Sequence, residues 1–252
     1  MEAMQLKKIQ EEIDLLVRER AKNNKLLEPA VGPICDGVAD EDAYLRSSLK
    51  VLWLLLEPYD EDYDRGGGWS LPKDCFLKPK EKDFEKIAQQ TIAYSMWCAR
   101  NRKRFPDAPS PEEVFHELTS IAWVNISKMP AKKRSHVQTV VRKYKENWKD
   151  IIDRQIELLS PGVIIIAGSH FKSLYGKELF VGGRNEYEKC FPDGEGRLVY
   201  LYRLNKIPIL KADHPAYWKN RYHKRWRPNL KRDTYVNAIA DALVFLENHQ
   251  PL

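Results

Sequence analysis

The sequence predicts an α/β fold: three layers, α/β/α, around a central, mostly parallel four-stranded sheet, with an N-terminal helical extension over residues 1–47 and the α/β domain over residues 48–252. Three observations carry this reading. Four short apolar runs alternate with segments of helical periodicity from residue 48 to residue 249. The chain, 252 residues with 43% hydrophobic and 11% aromatic side chains, has material for a sizeable core. No internal repeat or low-complexity linker divides it.

The N-terminal stretch MQLKKIQEEIDLLVRERAKNNKLL places Leu6, Ile9, Ile13, Leu16 and Val17 near a 3.6-residue period, an amphipathic helix that packs on the main domain. LKVLWLLLEP, residues 49–58, is continuously apolar and stops at proline, as a strand buried on both faces of a parallel sheet does. Helices follow over residues 81–101 and 110–119, the second opened by Ser110 as cap, Pro111 at the first helical position and acids in the first turn. SIAWVNISKMP has strand length and is broken by Pro130. Val137, Val140, Val141, Tyr144, Trp148, Ile151, Ile152, Ile156 and Leu159 then mark a helix that ends at Ser-Pro-Gly. GVIIIAGSHF is the clearest strand, β-branched and closed by Gly168-Ser169. NKIPILKADHPAYW supplies the fourth, and residues 232–249 a final amphipathic helix.

Composition narrows the function classes. Lysine and arginine exceed acids 42 to 36, giving a net charge of +6, which suits a polyanionic partner without requiring one. Cys35, Cys75, Cys98 and Cys190 have no C-x-x-C spacing, so neither zinc nor an iron–sulfur cluster is indicated and the thiols read as reduced. Residues 1–27 are charged and amphipathic rather than a signal peptide, and no apolar run approaches the ~20 residues that span a bilayer. The expectation is an intracellular, cytoplasmic monomer with no metal, no cofactor and no membrane partner.

Ligands of open α/β sheets bind outside the carboxyl ends of the strands. Here those ends are Glu57-Pro58-Tyr59, Asn125-Ile126-Ser127, Gly168-Ser169-His170 and Asp213-His214-Pro215. An acid, an amide and an imidazole around one crevice suit a reaction that develops positive charge on one fragment and negative charge on the other. Trp69, after the glycine triplet Gly66–Gly68, offers a ring that stacks on a flat ligand such as a nucleobase held out of its helix.

The order of these residues resembles the uracil-DNA glycosylase superfamily. Leu55-Leu56-Glu57-Pro58-Tyr59 stands where the best-known branch has Gly, Gln, Asp, Pro, Tyr; Trp69-Ser70 matches a stacking aromatic followed by serine; Asn125 matches a base-reading asparagine. Gly168-Ser169 matches a Gly-Ser near DNA phosphate, and His214-Pro215-Ala216 matches a final His-Pro-Ser. The resemblance spans roughly residues 48–249 and implies removal of uracil or a related damaged base from DNA without a metal. It implies that Glu57 handles water and the sugar cation, His214 stabilises the leaving base, Asn125 reads the base edge, Trp69 stacks on it and Tyr59 walls off the pyrimidine 5-position. Ser169, Tyr217, Trp218, Lys219 and Arg221 would meet the DNA, the last four within the aromatic-rich basic stretch that follows His214.

Four departures set this chain apart: Leu55 in place of glycine, the acidic run Asp60, Glu61, Asp62 and Asp64 beside Arg65, Ala216 in place of serine, and Tyr217 or Trp218 where an aliphatic wedge is usual. They leave a second function class open, a glycosylase-fold protein that binds nucleic acid or a modified base without catalysis. Each residue also has a plain alternative: Glu57 as a surface acid, Tyr59 and Trp69 as packed aromatics, and His136 and His170 as structural or exposed histidines. An unrelated hydrolase or transferase is disfavoured, since the chain has no G-x-S-x-G elbow and no phosphate-binding glycine loop.

Overall fold

The structure is a computed structural model that describes residues 1–23, 32–58, 66–131, 137–168, 174, 187–192, 198–204, 206–217 and 230–249. Seven strands form one sheet: β1 (Gly37–Val38), β2 (Val51–Leu55), β3 (Ala122–Asn125), β4 (Val163–Ala167), β5 (Lys189–Phe191), β6 (Val199–Leu204) and β7 (Ile207–Ala212). Their order is β1-β3-β2-β4-β7-β6-β5. The four central strands β3, β2, β4 and β7 are mutually parallel and are the four that the apolar runs predict.

The sheet is nevertheless mixed and larger than the four strands expected, because β1, β6 and β5 add antiparallel edges. The physical reason is local: β1 and β5 are two and three residues long, too short for a pattern of their own, and exist through their partners' ladders. Strand β6 forms a hairpin with β7, pairing Leu204 with Ile207 across a turn in which Lys206 has φ 71°.

Helices cover both faces. Side chains of β2, β3 and β4 alternate, so Val51, Trp53, Leu55, Trp123, Val163 and Ile165 point to one face while Leu52, Leu54, Ala122, Val124, Ile164 and Ile166 point to the other. The first face packs against α4 (Ile87–Asn101), α5 (Pro111–Val114) and the C-terminal helix α8 (Arg232–Asn248). The second packs against α1 (Ala3–Asn23), α6 (Val137–Asn147) and α7 (Lys149–Leu159). Two short helices, α2 (Glu41–Arg46) and α3 (Glu81–Phe84), are also present among the described residues.

Residues 1–47 thus supply an edge strand of the sheet and a covering helix. Leu6, Ile13 and Val17 of α1 are buried in the same cluster as Leu52 and Leu54, each worth about 1.5–3 kcal/mol relative to exposure. Arg20 clamps the helix to α7 by bonds of 3.0 and 2.9 Å to Asp150 and one of 2.8 Å to the Asn147 carbonyl.

Three predicted helices are subdivided. The segment 81–101 breaks between Phe84 and Ile87, where the buried Asp83 carboxylate accepts from Lys80 N at 2.9 Å and Lys86 Nζ at 2.7 Å. Ser110 caps the helix as its sequence predicts, and Glu113 returns a bond to complete a capping box, but after Val114 the chain tightens into a 3₁₀ segment, Phe115–Ser120. The long periodic stretch from Val137 divides at Trp148, which is buried between α6 and α7.

Candidate functional site at the carboxyl edge of the sheet

Parallel pairing in register aligns the ends of the four central strands. Leu55 pairs with Asn125, Leu54 with Ile166, and Ala167 with Ala212, so Asn125, Leu55, Ala167 and Ala212 form one terminal row. Strands in a sheet lie about 4.8 Å apart, which puts the ends of β2 and β7 roughly 10 Å apart with β4 between them. Connections leave β2 and β4 in opposite directions, to β3 on one side and toward β7 on the other. Such a divergence, here at the β2/β4 junction, marks the edge at which open α/β sheets bind ligands.

Glu57 lies two residues beyond the row and is half-buried. Its backbone is held because pairing continues past the strands: Ile126 N donates to Leu55 O at 2.9 Å, Ser127 N to Leu56 O at 3.0 Å and Ala131 N to Pro58 O at 3.0 Å. Gly168 N donates to Ala212 O at 2.9 Å and likewise ties the exit of β4 to that of β7.

His214 follows β7 by two residues. The Ala216 backbone N–H donates to His214 Nδ1 at 3.2 Å. A backbone N–H only donates, so Nδ1 is unprotonated and the ring's proton sits on Nε2, the neutral tautomer that donates from Nε2. The loop is anchored below by the buried Tyr235 hydroxyl, which donates to Asp213 O at 2.6 Å. Tyr217 donates its N–H to His214 O at 2.9 Å and sets its ring 5.3 Å from the imidazole at 36°, so these two predicted site residues are in contact.

Trp69 is reached through a segment that sequence reasoning passed over, residues 32–38. Gly68 N donates to Pro33 O at 3.0 Å, Cys35 N to Trp69 O at 3.1 Å and Leu71 N to Cys35 O at 2.9 Å. On its other side Ile34 N donates to Lys128 O at 2.7 Å. The segment therefore bridges the Trp69 loop to the end of β3. Gly67, at φ +76°, is required there, because any Cβ would overlap the backbone of Gly32. Trp69 itself is half-buried against the first-face core, and Ser70 caps a π-helical turn, Leu71–Phe76, through Lys73 N at 3.5 Å.

Asn125 is buried at 3% exposure and belongs to a polar cluster. Asp36 Oδ2 accepts from Asn125 N at 2.7 Å and from Asn125 Nδ2 at 3.4 Å. Lys128 Nζ donates to Asp36 Oδ1 at 2.6 Å and to Gln155 Oε1 at 3.0 Å, while Gln155 Nε2 returns bonds to Asp36 Oδ1 at 3.1 Å and Asp36 O at 3.3 Å. Both side chains of the Asp36–Lys128 ion pair are 1% exposed. Beside them, burial pushes the Asp14 carboxyl up to about 6 and, together with the Asp14 charge, pushes the Cys35 thiol up to about 12. Asp36, Lys128 and Gln155 were legible only as charges and an amide lying in apolar stretches such as PICDGV and NISKMP.

Tyr59, the acidic run with Arg65, Ser169, His170, Trp218, Lys219 and Arg221 lie outside the described residues, as do His136 and the basic run 132–134. An open cleft of about 360 Å³, lined by Arg46, Ser47, Arg100, His116, Thr119 and Ser120, lies at the opposite edge of the sheet, ahead of β2 and β3. Its Arg100 is already paired with the buried Glu117. All four cysteines are buried, and none forms a disulfide. Among the described residues no helix is long and apolar enough to cross a membrane. No protein-family model matches this chain, and no curated protein matches it.

Proposed function

We propose that the protein is a DNA base-excision glycosylase that hydrolyses the N-glycosidic bond of uracil or a related damaged base. The observation that supports this reading is the terminal row: Asn125 ends β3, and Glu57 and His214 each follow their strands by two residues at the same edge of the sheet, on strands about 10 Å apart. That span suits a nucleoside, with its sugar at one end and its base at the other. In the reaction the bond between C1′ and the base nitrogen breaks and its electron pair leaves with the base. The Glu57 carboxylate opposes the positive charge that develops on the sugar, orients the water that adds to C1′ and takes up the proton which that water loses. The neutral His214 donates from Nε2 to an oxygen of the departing base anion. Trp69 stacks on the ring, and Tyr217 beside His214 meets the DNA strand.

The test is base release from an oligonucleotide carrying one uracil, single-stranded and opposite guanine or adenine. Wild type should release uracil. Glu57→Gln and His214→Ala should each slow release on the order of a hundredfold or more, since one donor or charge at such a site is commonly worth ~3–4 kcal/mol. No release by wild type at enzyme excess on any of the three substrates refutes the reading for uracil.

One observation favours a second function, a protein that binds nucleic acid or a modified base without catalysis: the Asn125 carboxamide is nearly enclosed and part of it is engaged by Asp36. Binding without turnover, with affinity that falls steeply as salt rises, distinguishes it.

A further inference from the structure

We propose that the cleft at the opposite edge of the sheet is a second ligand site, one that takes a phosphorylated sugar, with Arg46 and Arg100 on the phosphate. It stands independently of the glycosylase reading, since the whole length of β2, roughly 16 Å at 3.3 Å per residue, separates Ser47, ahead of the strand, from Glu57 beyond it. The cleft has about 360 Å³, within the range of small-molecule sites, and its lining contains two guanidiniums and no carboxylate.

Donors and acceptors in the lining are segregated. Arg46, in the last turn of α2, is exposed and makes no hydrogen bond or ion pair among the described residues, so all five of its N–H donors are open to a ligand. Arg100, from α4, gives one donor to the buried Glu117 carboxylate and one, at 3.4 Å, to Ser47 Oγ, which leaves three. Glu117 cancels one guanidinium charge and Arg46 supplies the surplus. The hydroxyls are arranged differently: Ser47 Oγ donates to Ala43 O at 3.0 Å, Thr119 Oγ1 to His116 O at 2.8 Å and Ser120 Oγ to Glu117 O at 3.0 Å. Each has used its single proton, so toward a ligand each is an acceptor. His116 Nδ1 faces Glu113 O at 2.7 Å, and a carbonyl only accepts, so the neutral ring likewise keeps a lone pair on Nε2. An anionic head with hydroxyls behind it satisfies both sets. A tetrahedral phosphate turns oxygens toward guanidiniums that arrive from two helices, whereas a planar carboxylate turns both of its oxygens one way. The sugar then supplies O–H donors to the hydroxyl oxygens and to His116.

Isothermal titration calorimetry of the full chain with ribose 5-phosphate, inorganic phosphate and ribose is the test. Ribose 5-phosphate should bind, inorganic phosphate about fivefold or more weakly, and ribose not measurably. Arg46→Ala removes an exposed side chain without a partner among the described residues, so the variant should fold, and it should weaken ribose 5-phosphate about tenfold or more, the loss of a charge-assisted bond. Arg100→Lys, which keeps a cation beside Glu117 but not the planar fork, should weaken it as well. Thr119→Val takes away an acceptor and should weaken ribose 5-phosphate while leaving inorganic phosphate unchanged. Thermal unfolding without ligand shows that each variant is folded. No heat from ribose 5-phosphate at about 10 mM, or the wild-type affinity in folded Arg46→Ala, overturns the site. Equal affinity for inorganic phosphate and ribose 5-phosphate overturns the assignment of a sugar. A single-stranded oligonucleotide without terminal phosphates should not displace ribose 5-phosphate; if it does so at equal concentration, the cleft belongs to nucleic acid and the small-ligand assignment is overturned.

Discussion

Replacing Lys128 with methionine removes the counter-charge of Asp36 while nearly preserving side-chain volume. Lys128 Nζ makes two bonds, 2.6 Å to Asp36 Oδ1 and 3.0 Å to Gln155 Oε1, and both members of the ion pair are 1% exposed. The substitution leaves a buried carboxylate with bonds from Asn125 N and Gln155 Nε2 but no positive partner. Breaking a buried pair in this way costs about 3–5 kcal/mol. For a chain of 252 residues, an unfolding entropy of about 2.1 cal/mol/K per residue converts that cost into a Tm lower by roughly 6–10 °C. Adding Asp36→Asn removes the stranded charge and keeps an acceptor for Asn125 N, so the double variant should regain about 2 kcal/mol or more. Urea unfolding followed by tryptophan fluorescence, with the slope checked for constancy, reads both quantities. A loss below about 1 kcal/mol in Lys128→Met, or additive effects in the double variant, would refute the view that the pair is a buried, coupled unit.

Two further perturbations test the elements around the site. Asp14 has its folded pKa raised to about 6, chiefly by burial, so between about pH 4 and 6 the folded state keeps a proton that the unfolded state has released. Stability at this group therefore falls as pH rises through that window, by about 1–3 kcal/mol given its partial exposure. Asp14→Asn should flatten that slope and stabilise the protein at pH 8, as urea titrations across pH would show; an unchanged slope would place the carboxylate in water. Gly67→Ala combines a φ of +76° with overlap against Gly32 and should cost more than about 2 kcal/mol, whereas Gly68→Ala, at φ +75° with open space around its Cβ, should cost about 1 kcal/mol. Equal losses in thermal unfolding would mean that the close approach to residues 32–33 contributes nothing.

The four central strands were legible because burial on both faces leaves its mark on each segment separately. Val51–Leu55 and Val163–Ala167 are apolar at every position, and their limits need no knowledge of their neighbours. The same holds for the Ser110 capping box, whose partners lie within one turn. Candidate site residues at the strand ends were legible for the related reason that a polar residue directly after such a run is conspicuous. What no local pattern carries is pairing. Strand order, and with it the alignment of Glu57, Asn125 and His214 on one edge, depends on contacts between residues more than forty apart in the chain. The antiparallel strands β1, β5 and β6 likewise exist only through the hydrogen bonds of their partners, β1 across more than eighty residues and β5 and β6 across a dozen or fewer, and the break at Trp148 falls where a periodic stretch bends to bury an indole. The Asp36–Lys128–Gln155–Asn125 cluster is the extreme case. Its members come from three separate segments, and only their mutual satisfaction makes burying them tolerable, a condition that tertiary structure alone decides.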